Sequence, residues 1–123
     1  MTLNEYQQKA MATCLPEANN FTYMMLNLTA EVGEFAGKVA KAIRKGQMKM
    51  KTNANFYYGM QMPYEDAKKH MDELAKEAGD ILWQLSGLCT VMGWQLEDIA
   101  QQNLDKLADR KSRQVIDGSG DNR

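Results

Sequence analysis

The sequence predicts an all-α fold, an antiparallel bundle of about four helices that assembles into an oligomer. Apolar residues recur every three or four positions in two long segments, which is the spacing of one helical face. Capping residues, prolines and glycines divide the chain into helix-sized pieces. Strand-like alternation is not visible over a useful length. We therefore expect one all-α domain over residues 1–116 and a flexible C-terminal tail over residues 117–123.

Helix-start and helix-stop signals set the first two predicted helices. Thr2 and Glu5 have the spacing of a capping box, which predicts a helix over Leu3–Cys14, before Pro16. A second helix is predicted over Asn20–Gly46, because basic residues in a last turn followed by Gly are typical of a helix end. Its apolar seam steps by three and four, through Met25, Leu28, Val32, Phe35, Val39 and Ala42.

The segment Gln47–Met62 shows no helical period. It is long for a loop in so small a domain, so we expect it to be functional or mobile. Its aromatic residues are Phe56, Tyr57 and Tyr58.

Two further helices complete the predicted bundle. The third begins at Pro63, a favourable first-turn residue, and ends at Gly93. The fourth is predicted over 96–112. The seam of the third helix consists of Leu74, Ala78, Ile81, Leu85, Leu88 and Met92.

Composition excludes several classes of partner. The formal net charge is −1, which gives no drive toward nucleic acid or an anionic membrane. Cys14 and Cys89 lie in apolar helical patterns, which favours free thiols in a reducing compartment. No signal peptide or membrane-spanning stretch is visible, so we expect a cytoplasmic location. A bundle this small often gains stability by pairing.

Two short acidic segments have the same pattern, Glu31-Val-Gly-Glu34 and Glu77-Ala-Gly-Asp80. Each places two carboxylates at i and i+3, on one helical face. Each acid also lies one residue before a predicted seam position. An isolated pair of this kind is usually a solvated face. Two matched pairs on helices that pack by their seams would instead border one groove and be partly buried.

Four carboxylates in one groove repel one another, and burial strengthens the repulsion. They must then bind protons or a cation, and oxygen ligands suit Mg²⁺ or Mn²⁺. Because magnesium is usually shared with substrate phosphates, the expected ligand carries phosphate, and a bound water is a candidate nucleophile. Gly33 and Gly79 each cost about 1 kcal/mol in a helix. Close helix approach around the metal is the expected compensation.

Asn103, Lys106 and Arg110 step by three and four on the fourth predicted helix and share a face. A cationic face beside the acidic groove could hold a triphosphate. The alternative is an ordinary polar outer face.

The paired acid motifs resemble those of the MazG-like nucleoside triphosphate pyrophosphohydrolases, in the all-α NTP pyrophosphatase group. The family pattern is E-x-x-E on one helix and E-x-x-D on the next, here in the contexts A-E-V-G-E-F and K-E-A-G-D-I-L-W. The run N-L-D-K-L-A-D-R, the opening L-N-E-Y-Q and the tail G-S-G-D-N-R are also similar to short family members. One departure is the gap of 42 residues between the motifs, which is longer than usual, and the inserted loop could cover or reshape the pocket for the base. Phe56, Tyr57 and Tyr58 of this loop could stack on the base or pack at a subunit interface, and we favour the interface.

The resemblance implies an enzyme that hydrolyses a nucleoside or deoxynucleoside triphosphate to the monophosphate and pyrophosphate. Its four motif acids would bind Mg²⁺, with Mn²⁺ as a substitute, and supply the catalytic groups: Glu31, Glu34, Glu77 and Asp80. Asn103 and Lys106 would contact the nucleotide, and Arg110 joins them as a third candidate. Members usually form homodimers or homotetramers. The rival hypothesis is a non-catalytic helical oligomer that binds nucleotide or acts as a regulator.

Overall fold

The computed structural model describes all residues, 1–123. Four helices follow one another along the chain, and a short antiparallel hairpin lies between the second and the third. The elements are α1 (Leu3–Met11), a 3-10 turn (Pro16–Ala18), α2 (Phe21–Arg44), β1 (Met48–Met50), β2 (Phe56–Tyr58), α3 (Tyr64–Val91) and α4 (Leu96–Ser112). The predicted all-α fold class is confirmed.

The predicted capping box starts α1. Thr2 Oγ1 accepts from the backbone N–H of Glu5 at 3.0 Å, and Glu5 Oε2 accepts from the backbone N–H of Thr2 at 2.7 Å. The helix ends at Met11, earlier than the predicted end. There the Thr13 hydroxyl donates to the Ala10 carbonyl at 2.7 Å, a local bond that competes with further helix.

The two long helices, α2 and α3, pack against each other and form the main interface of the chain. They run antiparallel, because Lys38 contacts Glu77 near one end and the Met24 thioether lies against Gly87 near the other. A small apolar cluster of Ala42, Met48 and Leu74 closes the interface beside the hairpin.

The predicted seams are wrong at several positions. Val32 of α2 is 49% exposed and Leu85 of α3 is 37% exposed, although both were expected to face inward. At four predicted seam positions the preceding residue is the more buried one: Met24, Glu31, Glu77 and Gln84 in place of Met25, Val32, Ala78 and Leu85. The expectation put the apolar seam residues at the centre of the interface and the motif acids at the edge of a groove. Polar groups instead occupy part of the α2–α3 interface.

The segment 47–62, expected to be irregular, contains the hairpin. Met48 pairs with Tyr58, and the backbone N–H of Lys51 donates to the Asn55 carbonyl at 2.6 Å across the turn. Ala54 supports the turn with a φ of +69°. Strands of three residues are too short to show a period of two, which is why alternation was not visible.

Tyr58 attaches the hairpin to α3. Its hydroxyl lies 2.6 Å from His70 Nδ1, and burial raises the pKa of this tyrosine above its ordinary value. Phe56 meets the Tyr58 ring edge to face, with ring centroids 5.7 Å apart. Tyr58 therefore packs within its own chain, whereas Tyr57 is 45% exposed.

The close helix approach expected at the motif glycines is also wrong. A Cβ added to Gly33 or Gly79 would meet no atom within 4 Å. The close approach is at Gly87, where a Cβ would overlap the buried Met24 side chain.

The first helix ties the bundle together through polar contacts. Trp83 of α3 donates from Nε1 to the Ala10 carbonyl at 3.1 Å. Gln7 Oε1 accepts from the backbone N–H of Leu96 at 2.7 Å, and Asn4 Oδ1 accepts from that of Glu97 at 3.1 Å. Because Gln95 does not cap α4 with its own side chain, α1 supplies those acceptors. None of the helices has the length and apolar character needed to cross a membrane.

The C-terminal tail folds back on α4. The Arg123 side chain donates to the carbonyls of Val115 and Gly120 at 3.0 and 2.6 Å. Asp121 accepts from Arg110 at 2.9 Å, and this guanidinium lies almost wholly buried. The flexibility expected for residues 117–123 stays a prediction, and these bonds define the docked form of the tail.

Candidate metal centre

Three of the four motif acids meet at the α2–α3 interface. Glu31 and Glu34 lie one turn apart on α2, and Glu77 faces them from α3. One carboxylate oxygen from each lies within 4.8 Å of the others. Three oxygens at this separation can share one hard cation.

The fourth motif acid, Asp80, lies at the border of this cluster. It is not among the three carboxylates that converge, yet its charge adds to the effect of burial in raising the pKa of Glu31 and of Tyr6 on α1. An aspartate side chain is one methylene shorter than a glutamate, so it reaches less far from the same helical face. The acidic field therefore spans both motifs, although the direct cluster contains three residues.

The electrostatics of the cluster are most visible at Glu31. Burial raises the pKa of this carboxyl above its ordinary value of 4.5, and the charges of Glu34, Asp80 and Glu77 raise it further. A hydrogen bond at 3.4 Å from Asn27 Nδ2 to Glu31 Oε1 acts in the opposite direction. Without a cation, Glu31 therefore releases its proton at a higher pH than an ordinary glutamate does.

Buried oxygens without donors occur along the same interface. Glu31 Oε2, Glu77 Oε2 and Gln84 Oε1 are all buried and accept no hydrogen bond within the chain. An unpaired buried acceptor is unfavourable, and more so when it is charged. Because these atoms are all acceptors, a cation or its hydration water would satisfy them, and the donor set fits Mg²⁺ or Mn²⁺.

One cation of the chain already faces the cluster. Lys38 Nζ lies 3.5 Å from Glu77 Oε1, and the Glu77 side chain is only 13% exposed. Lys38 follows Glu34 by four residues, so it lies on the same face one turn later. It balances part of the acidic charge on the side of Glu77 Oε1, whereas Oε2 stays without a partner.

The candidate substrate-binding residues lie elsewhere in the chain. Asn103 and Lys106 line a cavity of about 330 Å³ on α4, and neither acidic motif lines this cavity. Lys106 Nζ is 3.4 Å from Asp121 Oδ1, the same oxygen that accepts from Arg110. Within one chain, the structure therefore does not bring these three residues into a common cavity with the acids.

Sequence reasoning missed two residues of the interface, Lys38 and Gln84. Both follow a motif acid by four residues, Lys38 after Glu34 and Gln84 after Asp80. That spacing was the available signal, because residues at i and i+4 share a helical face. Neither was singled out, because the predicted seams contained only apolar residues.

Comparison with known proteins gives two matches. Residues 19–115 match the model of the MazG nucleotide pyrophosphohydrolase domain. The chain is also similar to the Gene 37 protein of Mycobacterium phage L5, with 33% identity over 102 residues, covering 83% of this chain and 75% of the phage protein. No protein of solved structure matches the chain. The domain match contains α2, the hairpin, α3 and α4, and so includes every residue of the acidic cluster.

Proposed function

The chain belongs to the MazG nucleotide pyrophosphohydrolase family, and from that premise we propose that it hydrolyses a nucleoside or deoxynucleoside triphosphate to the monophosphate and pyrophosphate in a Mg²⁺-dependent reaction. Mn²⁺ is the expected substitute. The observation that carries the proposal is the convergence of Glu31, Glu34 and Glu77 within 4.8 Å. A scaffold gains nothing from placing like charges together at a helix interface.

The acids of the two motifs have the central roles in this proposal. Glu31, Glu34 and Glu77 hold the cation, and Asp80 completes the set from the next turn of α3. Mg²⁺, when bound, would offset their charge and that of the substrate phosphates. One carboxylate accepts the proton of the attacking water. The water oxygen bonds to the α-phosphorus. The bond from the α-phosphorus to the α–β bridging oxygen breaks, and its electron pair leaves with pyrophosphate.

The nucleotide is proposed to contact α4. Asn103 and Lys106 line a cavity on α4, and Lys106 also contacts Asp121 of the docked tail. Arg110 is 5% exposed and bonded to Asp121, so it can contact phosphate only when the tail is displaced. In the docked form shown here Arg110 supports the tail, and we rank its contribution to binding below that of the other two.

A homodimer or homotetramer is proposed as the working form. Many large apolar side chains are exposed on the isolated chain, including Leu26 at 68%, Val32 at 49% and Leu104 at 60%. Apolar exposure of this extent on a helical bundle is typical of an assembly surface. A second copy could also bring an α4 face to the acidic cluster, which the single chain does not do.

The rival function is a non-catalytic helical oligomer that binds nucleotide as a regulator. It shares the fold and the family, and differs only in lacking turnover. The clustered acids argue against it, since nucleotide binding alone is favoured by cations and not by three convergent carboxylates.

The test is to incubate the protein with each common ribo- and deoxynucleoside triphosphate and Mg²⁺, and to measure pyrophosphate. We expect release from at least one of them, and a fall in its rate of about 100-fold in Glu34→Gln and in Asp80→Asn. Asp72→Asn is the matched control, because Asp72 is an exposed acid of α3 paired with Lys68. No release from any triphosphate would favour the rival, and fully active Glu34→Gln would contradict the site.

A further inference from the structure

Gln84 is the neutral member of the buried set of oxygens without donors. The residue is 3% exposed and lies in the C-terminal half of α3. Its Oε1 is buried and accepts no hydrogen bond from the chain. Leaving a buried amide oxygen unpaired is unfavourable. Sequence reasoning gave this residue no role.

The position of Gln84 connects it to the acidic cluster. Glu77, Asp80 and Gln84 lie at i, i+3 and i+7 of α3, a spacing that puts all three on one face. The register of α2 against α3 is fixed by Lys38 at Glu77 and by Met24 at Gly87. This register puts Gln84, which lies between the two contacts, opposite the Asn27–Glu31 turn of α2.

We propose that Gln84 is a positioning residue of the metal centre, whose Oε1 accepts a hydrogen bond from the hydration water of the divalent cation held by Glu31, Glu34 and Glu77. The inference rests on the proposed function only in taking this cluster as a cation site. Gln84 orients that water at the α2–α3 interface, where the chain itself offers its Oε1 no donor.

The glutamine side chain suits a place outside the direct ligands of the cation, in contact with its hydration water. Mg²⁺ keeps several waters when a protein binds it, and these waters need acceptors around them. A fifth carboxylate at position 84 would add to a repulsion that already raises the pKa of Glu31. A glutamine offers an acceptor oxygen without that charge. Outer-sphere partners of this kind set metal affinity as well as ligand orientation.

The experiment measures thermal stability and Mg²⁺ affinity in Gln84→Met, which keeps the length of the side chain and removes the polar group. We expect the metal-free melting temperature to stay the same or rise, because an unpaired buried acceptor is removed. We expect Mg²⁺ affinity, measured by calorimetry without nucleotide, to fall about tenfold. A fall in Mg²⁺ affinity without a fall in the metal-free melting temperature separates a positioning role from a structural one.

Ser86→Ala is the matched control. Ser86 is fully buried on the same helix, and its hydroxyl already donates to the Leu82 carbonyl at 2.9 Å. We expect it to lower stability slightly and to leave Mg²⁺ affinity unchanged. A lower metal-free melting temperature in Gln84→Met, or an unchanged Mg²⁺ affinity, would overturn the inference.

Glu34→Gln, measured in the same way, separates the two proposals. If Glu34→Gln weakens Mg²⁺ binding and Gln84→Met does not, the role of Gln84 is wrong and the metal centre stands. If neither variant changes Mg²⁺ binding, the metal centre fails, and the inference about Gln84 fails with it.

Discussion

Lys38 Nζ lies 3.5 Å from Glu77 Oε1 across the α2–α3 interface. The Lys38 side chain is 38% exposed, whereas the Glu77 side chain is 13% exposed, so the pair places a partly solvated cation against a mostly buried acid. Lys38 thus supplies one positive charge to a cluster that otherwise contains only acceptors. It also competes for Glu77 with any divalent cation that binds there.

Removal of that charge should strengthen metal binding. In Lys38→Met we expect Mg²⁺ to bind about fivefold more tightly, since a like charge close to the site disfavours the ion by about 1 kcal/mol even with strong solvent screening. The metal-free protein should become less stable. Calorimetry with Mg²⁺ and thermal melts in a chelator measure the two effects. Lys41→Met, an exposed neighbour on α2, is the control, and equal affinities in both variants would contradict the competition.

The raised pKa of Glu31 makes metal-free stability depend on pH. Because the folded-state pKa lies above the ordinary value of 4.5, the protonated Glu31 makes its full contribution to stability below that pH. Its contribution is lost as pH rises from 4.5 through the folded-state pKa, as the buried carboxyl ionises among Glu34, Asp80 and Glu77. In a chelator, the melting temperature of Glu31→Gln relative to the natural protein should therefore increase with pH.

Added Mg²⁺ should reverse this advantage of Glu31→Gln, because only the ionised glutamate gains a cation. Melts of both proteins between pH 5 and 8, with chelator and with Mg²⁺, provide the comparison. A difference that does not change with pH in the chelator would mean that Glu31 is not perturbed by its neighbours.

The contact between Met24 and Gly87 gives a packing prediction. Gly87→Ala would place a methyl group into the fully buried Met24 side chain, so we expect a loss of about 1–3 kcal/mol of unfolding free energy. Gly37→Ala, also inside a long helix, meets no atom within 4 Å. It should stabilise the protein by about 0.5–1 kcal/mol through helix propensity. Denaturant unfolding of both measures this, and similar effects would contradict the close approach.

The docked tail depends on the charge of Asp121. A hydrogen bond from Arg110 is the main cause that lowers the pKa of Asp121, and Lys106 adds to it. The contact therefore stabilises the tail above the ordinary pKa of 3.8 and is lost as pH falls through the lower, folded-state value. At neutral pH we expect Asp121→Asn to speed hydrogen exchange over residues 117–123 several-fold. Asp117→Asn, at an exposed position, is the control. Identical exchange rates in both variants would contradict the role of Asp121 in holding the tail.

The helices could be predicted from the sequence because the signals that start and end them are local. The Thr2 capping box and the stop before Gly93 depend on neighbours within one turn, and the structure has both a start and an end close to the predicted positions. The hairpin could not be predicted from the sequence, because strands of three residues are too short to show a period of two. Its stability comes from the distant contact between Tyr58 and His70 and from the burial of Met48.

The site was predictable in its acids and not in its neighbours. Paired carboxylates at i and i+3 are conspicuous, and three of them do converge. Which residues surround them depends on the rotation of two helices about their axes. A pattern that assumes apolar residues face inward assigns Val32 to the seam and Glu31 to the groove edge, whereas in the structure Glu31 is more buried than Val32. Gln84 was missed for the same reason.

The most direct test of the central claim is calorimetric titration of Mg²⁺ into the nucleotide-free protein and into a Glu31→Gln/Glu77→Gln double variant. We expect saturable binding to the natural protein, retained in Asp72→Asn and lost in the double variant, whose melting temperature in chelator should be equal or higher. Binding of equal strength to the double variant, or no binding to the natural protein at millimolar Mg²⁺, would contradict the account.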